Sequence, residues 1–217
     1  MNKIDIIDNS KTQTPDTQSI ITPKIALELL QKGNERFLQN NLLVRSFDQQ
    51  IAETSEGQHP FAVVLSCIDS RVATEIVFDQ GIGDIFNVCV AGNFVNEDIL
   101  GSMEFACKFA GVKLVVVMGH TACGAVKGAC DSVKAGNLTQ LLNKIIPAVE
   151  ATKTDSTGDR SSKNLNFVNR VAEKNVELTI ENIHTQSPIL SEMYNQGKID
   201  IVPAMYDVTT GKVEFLK

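Results

Sequence analysis

Two stretches decide the reading of this chain: Phe61-Ala62-Val63-Val64-Leu65-Ser66-Cys67-Ile68-Asp69-Ser70-Arg71 and Leu114-Val115-Val116-Val117-Met118-Gly119-His120-Thr121-Ala122-Cys123. Each opens with a continuous apolar run, the pattern of a strand covered on both faces. Each then delivers side chains that carry chemistry. Two thiols, one imidazole and one carboxylate are thus expected at the C-terminal ends of two strands, where open α/β sheets bind their ligands.

Between them, Ile85-Phe86-Asn87-Val88-Cys89-Val90 reads as another strand, and helices are expected over 72–78 and 97–110. Strand, helix, strand, helix, strand implies parallel pairing through crossovers. Outward from this core, Thr22-Pro23 is an N-cap followed by proline at the first helical position. Ile25, Leu29, Leu30 and Phe37 then recur at helical spacing, and this helix suits either its own core or a partner subunit. A helix should begin just after Thr121, another should span 136–149 and end near Pro147, and a long one should cover 167–183. Pro188 starts a short helix, and 199–206 and 212–216 read as strands joined by Thr209-Thr210-Gly211. Residues 46–59 read as a polar connection, and 152–162 as a charged, hydroxylated linker. The expectation is an α/β fold: a mainly parallel central sheet flanked by helices. A mobile N-terminal arm over 1–22 is expected, since the first twenty residues are polar, ahead of a single domain over 23–217.

The 217 residues are 43% hydrophobic and 21% charged, which supports a sizeable core. A net charge of −6 without a basic run argues against nucleic acid as a partner. No segment is apolar for long enough to span a bilayer, so no membrane partner is expected. The start lacks a signal-peptide pattern, and five cysteines are an odd count for a disulfide framework; both favour a cytoplasmic chain with reduced thiols.

Zinc prefers thiolate sulfur and imidazole nitrogen in tetrahedral geometry. Cys67, His120 and Cys123 supply two sulfurs and one nitrogen, and three protein ligands leave the fourth position of a catalytic zinc for water. Asp69 is able to fill that position itself. Arg71, two residues on, offers another arrangement: its guanidinium holds the carboxylate by two parallel hydrogen bonds and keeps it off the metal. Asp69 would then orient a zinc-bound hydroxide.

These residues carry a resemblance. Cys67-Ile68-Asp69-Ser70-Arg71 with His120-Thr121-Ala122-Cys123-Gly124 resembles the signature of the β-class carbonic anhydrases. Val90-Ala91-Gly92-Asn93, Ser102-Met103-Glu104-Phe105-Ala106 and the tail around Tyr206-Asp207 and 211–215 are similar as well. The resemblance covers residues 23–217. It implies reversible hydration of CO₂ to bicarbonate and a proton, with Zn²⁺ on Cys67, His120 and Cys123 and an Asp69–Arg71 dyad beside it. It also implies self-association as a homodimer or homotetramer, with active sites near the subunit interface.

By the same resemblance Gln58 reaches the site of a neighbouring subunit. Phe86, Val90 and Phe105 line the CO₂ pocket, and the Gly124 amide meets the product anion. Phe105 stands where plant members carry tyrosine, which removes a hydroxyl. A second subtype, which closes the metal with the aspartate, carries Trp and Arg where this chain has Val64 and Cys89. The open subtype is therefore expected. Asp69 and His59 are candidate proton relays. Hydrolysis of COS or CS₂ at the same site, or a structural zinc module with Asp69 as fourth ligand, are the alternatives. Cys89 and Cys107 read as small core residues, Cys130 as a packing residue, and Tyr206 as either core or channel lining.

Overall fold

The computed structural model describes residues 7–154, 156 and 158–216. Five strands form one sheet in the order β2-β1-β3-β4-β5. They are β1 (Ala62–Ser66), β2 (Ile85–Cys89), β3 (Leu114–His120), β4 (Asp200–Tyr206) and β5 (Val213–Phe215). The first four run parallel, and only β5 is antiparallel, turning back from β4. The expected α/β architecture is the observed one.

The two apolar runs became the two central strands, and every residue of β1 and β3 is buried. Alternate side chains leave opposite faces of a strand. Val63, Leu65, Val115 and Val117 join one core, and Ala62, Val64, Leu114, Val116 and Met118 join the other. Ala62 pairs with Leu114 and Leu65 with Val117, so β1 and β3 end side by side. Cys67 follows one end and His120 closes the other.

The first core is covered by α5 (Glu97–Glu104), α6 (Gly124–Cys130), α7 (Gly136–Asn143), α8 (Ile146–Ala151), α9 (Leu165–Gln186) and α10 (Pro188–Asn195). The second lies under α2 (Pro23–Leu38) and α4 (Thr74–Val77). Thr22 caps α2 through its side chain, with Pro23 in the first turn. Ile25, Ala26, Leu29 and Leu30 of α2 are buried in this chain's own core, which decides between the two partners that its periodicity allowed. Gly33 of α2 is needed for that contact: a Cβ there would lie 1.7 Å from the Phe78 carbonyl oxygen.

Several expectations differ in detail. Residues 7–22, part of the expected arm, lie against the body: Ile7, Asn9, Gln13 and Ile21 are buried, and α1 (Pro15–Ile20) is capped by Thr14. Residues 1–6 of that arm lie outside the described residues. Asn9 Nδ2 donates to Gln80 at 3.0 Å, and Gln18 Nε2 donates to the carbonyls of Pro60 and Ala110 at 2.7 and 2.8 Å. These polar contacts, invisible to hydrophobic periodicity, hold the segment. The polar connection over 46–59 contains α3 (Phe47–Thr54), capped by Ser46. The single helix expected over 136–149 is two, and Pro147 opens the second instead of ending the first, as a residue without an N–H suits a first turn. The helix over 97–110 ends in one turn of π-helix, Phe105–Phe109. Residues 155 and 157 of the linker lie outside the described residues.

Candidate metal centre

The site grows from the ends of β1 and β3. Cys67 leaves β1 on the face of Val63 and Leu65, and is 5% exposed. His120 ends β3 fully buried. Thr121 and Ala122 turn the chain, and Cys123, 1% exposed, stands at the position before the first turn of α6. The ligating atoms of Cys67, His120 and Cys123 all lie within 4.8 Å of one another. The two sulfurs are 3.9 Å apart. Tetrahedral zinc with Zn–S bonds of about 2.3 Å sets two sulfurs roughly 3.8 Å apart, so the donor set fits this ion.

The imidazole is oriented for the task. His120 Nδ1 lies 3.0 Å from the Thr121 carbonyl oxygen. A carbonyl only accepts, so Nδ1 carries the hydrogen and Nε2 presents a lone pair. Nε2 is buried and has no hydrogen-bond partner. A buried imidazole nitrogen without a partner, beside two thiols, is the signature of a metal ligand.

The thiols share their charge unequally. The hydrogen bond from Cys123 pulls the Cys67 thiol well below its ordinary range, and the Gly92 amide, 3.4 Å from the sulfur, adds to this. The same contact and burial push Cys123 far up. A divalent cation held between the two sulfurs would ionise both. The remaining thiols differ. Burial pushes Cys107 up to about 12 and Cys130 up to about 11, so both stay protonated packing residues. Cys89, expected in the core, is exposed, because β2 is an edge strand with an incompletely covered outer face.

Asp69 and Arg71 form a two-toothed pair. Arg71 Nε donates to Asp69 Oδ1 at 2.8 Å, Nη2 donates to Oδ2 at 2.8 Å, and the Arg71 amide donates to Oδ1 at 3.1 Å. Arg71 therefore holds the Asp69 carboxyl well below the usual carboxylate range. Asp69 Oδ2 lies 3.8 Å from His120 Nε2, at the border of the three-residue donor set.

A cleft of about 300 Å³ opens beside Cys67 and Asp69, lined by Ile68, Ala91, Gly124, Ala125, Gly128, Leu138 and Leu142. Of the pocket residues expected from sequence, only Gly124 lies in it. Phe86 and Phe105 meet edge-to-face at 6.4 Å in a separate hollow along β2, and Phe105 is 54% exposed. Val90 packs half-buried at the edge of the first core. Gln58 is exposed in a third hollow with Thr54, Gly57 and Ile82. The cleft beside Cys67 is thus lined by none of Gln58, Phe86 and Phe105. The apolar wall from α6 and α7, with Leu138 and Leu142, was not among the pocket residues expected from sequence. Tyr206, 6% exposed, belongs to the second core.

Comparison with known proteins agrees with this geometry. The carbonic anhydrase family model matches residues 62–213. Carbonic anhydrase 2 of Mycobacterium tuberculosis is 34% identical over 197 residues, spanning 88% of this chain and 91% of that protein. The carbonic anhydrase of Mycolicibacterium smegmatis is 32% identical over 198 residues, spanning 88% and 92%. Among solved structures, a tetrameric β-carbonic anhydrase of Sordaria macrospora superimposes with a TM-score of 0.68 at 22% identity, covering 78% of this chain and 86% of that one. The Coccomyxa β-carbonic anhydrase, solved with acetazolamide, gives 0.68 at 22% identity, covering 88% and 84%. A buried two-sulfur, one-nitrogen donor set at the ends of two parallel strands, with these relatives, means that the chain belongs to the β class of the carbonic anhydrase family, enzymes that hydrate CO₂.

Proposed function

We propose that the chain holds Zn²⁺ on Cys67, His120 and Cys123 and hydrates CO₂ reversibly in the open subtype, with Asp69 held off the metal by Arg71. The convergence of the three donors beside an Arg-bound carboxylate carries this reading. Zinc at these ligands would supply a Lewis acid that makes water nucleophilic near neutral pH.

The chain's own residues do the rest. Asp69 stays ionised throughout the neutral range, and its Oδ2 accepts a hydrogen from the attacking water, which fixes the direction of the water's lone pair. Arg71 holds both carboxylate oxygens, so Asp69 has no freedom to swing in as a fourth ligand. The water oxygen forms a bond to the CO₂ carbon, one C=O π bond opens, and the released proton passes to solvent. Ile68, Ala91, Ala125 and Leu138 present a small apolar wall that suits a neutral linear substrate and disfavours bulk water. Gly124, at the start of α6 in the cleft, offers its amide to the bicarbonate oxygen.

The pocket is completed by a second copy of the chain. β2 is an edge strand, and beside it Phe105 and Phe109 stack at 6.2 Å while 54% and 77% exposed. An uncovered edge with exposed aromatic rings is what an interface would cover. Partner copies of Gln58, Phe86, Val90 and Phe105 would then face Cys67 and its apolar cleft. This reading supports a homodimer or a higher homo-oligomer.

Zinc quantification with stopped-flow CO₂ hydration across pH 6–9 (roughly where a metal-bound water titrates) tests the activity. About one zinc per chain and a rate that rises with pH are expected. A metal-site structure near pH 7 tests the subtype: an Asp69–zinc bond with Arg71 displaced would refute it. COS turnover in parallel reports whether CO₂ is the preferred electrophile.

A further inference from the structure

Helix α9 packs an apolar stripe on the sheet: Val168, Val171, Ala172, Val176 and Ile183 are all buried. Three polar residues interrupt or border that stripe. Asn175 and Thr179 are 3% and 2% exposed, and Asn169 is half-buried. Buried amides and hydroxyls need partners. All three find them on the two loops that carry or touch the metal donors. Asn175 Nδ2 donates to the Gly92 carbonyl oxygen at 2.8 Å, and Thr179 Oγ1 donates to the Asn93 carbonyl oxygen at 3.4 Å. Asn169 Oδ1 accepts the Ala122 N–H at 2.9 Å.

The gripped residues are the left-handed ones: φ is +83° at Gly92, +40° at Asn93 and +55° at Ala122. A residue with a Cβ adopts that conformation only when its surroundings hold it there. Ala122 lies between His120 and Cys123, so its turn sets how those two ligands approach each other. Gly92 is restricted twice, by its φ and because a Cβ would lie 2.4 Å from Ile145 Cδ1. With its carbonyl held by Asn175, its amide points at Cys67 Sγ, 3.4 Å away.

We propose that Asn175 and Asn169 are positioning residues, through which α9 aims the Gly92 amide at the Cys67 sulfur and holds the Ala122 turn between His120 and Cys123. This rests on the reading of Cys67, His120 and Cys123 as metal ligands. An N–H···S bond draws electron density from the thiolate and leaves the metal more acidic. Loss of the Ala122 grip loosens the spacing of the ligands. Groups that orient ligands in this way change metal affinity by about 10–100-fold when removed.

The experiment uses the full chain loaded with Co²⁺, whose thiolate-to-cobalt charge-transfer band reports sulfur electron density. Four proteins are compared: wild type, Asn175→Leu, Asn169→Leu and Asn169→Asp. The expected result for Asn175→Leu is a band moved to longer wavelength, because Cys67 donates more strongly without its hydrogen bond. Asn169→Leu should release cobalt to a chelator about 10-fold faster, and Asn169→Asp, which keeps an acceptor oxygen, should restore the wild-type rate. A merely structural role lowers thermal stability but leaves the band in place. An unmoved band in folded, cobalt-loaded Asn175→Leu overturns the role of Asn175. Equal release rates for Asn169→Leu and Asn169→Asp overturn that of Asn169, and decide the proposal should Asn175→Leu not fold. A wild-type chain without the band overturns the ligand assignment itself, and the proposal with it.

Discussion

At the scale of single residues, the proposed chemistry turns on which partner holds Asp69. Three hydrogen bonds from Arg71 reach its two oxygens, while His120 Nε2 stands 3.8 Å off. Replacing Asp69 by Ala should leave zinc bound and lower CO₂ hydration by about 100-fold or more, measured by zinc content and stopped-flow rate on one sample. Full activity in Asp69→Ala would refute its role. Arg71→Lys keeps a positive charge but loses the fork that grips both oxygens. Its expected outcome is unchanged zinc content with a reduced rate. Cys67→Ala, by contrast, removes a donor from a three-donor set and should lose zinc on dialysis.

At the scale of elements, α2 and the segment before β2 show what sequence pattern conceals. Gly33 in mid-α2 reads as a helix weakness, yet a Cβ there would lie 1.7 Å from the Phe78 carbonyl. Gly33→Ala should therefore destabilise the chain by about 3 kcal/mol, read from the urea midpoint. Asp84, at the start of β2, is fully buried and accepts the Gly81 N–H at 2.7 Å and the Asn9 amide at 3.4 Å. Burial outweighs these bonds and the Arg45 charge, and pushes its carboxyl up to about 6. The folded state thus keeps a proton that the unfolded chain has already released. For this group stability is greatest below about pH 4, falls as pH rises to about 6, and is level above that. Relative to Asp84→Asn, the wild type should lose ~3 kcal/mol across that window, as followed by denaturation at each pH. Equal slopes for the two proteins would show that Asp84 titrates normally.

At the scale of the whole molecule, the metal donors sit in one chain while the expected pocket residues are dispersed. Cys67 borders a cleft built by α6 and α7, whereas Gln58 and the Phe86–Phe105 pair lie in other hollows. The proposed second copy, docked along β2, would reconcile the two. Phe109→Asp places a charge on the most exposed ring of that face, 77% open in the isolated chain. Sedimentation velocity should show a shift towards monomer, and hydration should fall while zinc content holds. An unchanged sedimentation coefficient would place the interface elsewhere. Among the described residues no helix is long and apolar enough to cross a membrane.

The sequence by itself determined the parallel core and the site at its end. Two apolar runs can be buried only as central strands, and the residues that follow, Cys67 with Asp69 and Arg71, and His120 with Cys123, are then carried to one edge by chain continuity alone. Even the cap at Thr22 and the turn at 209–211 are local chemistry. Only the tertiary structure decided what depends on packing across distance. Polar residues such as Asn9, Gln18 and Asn175 read as solvent-facing until a buried carbonyl or amide is found opposite them. The helix over 47–54 hid in a polar stretch because it buries little beyond Gln50. Cys89 reads as core until β2 is seen at the sheet edge. Periodicity reports which face of an element is apolar; which polar groups must meet is set only when the elements have packed.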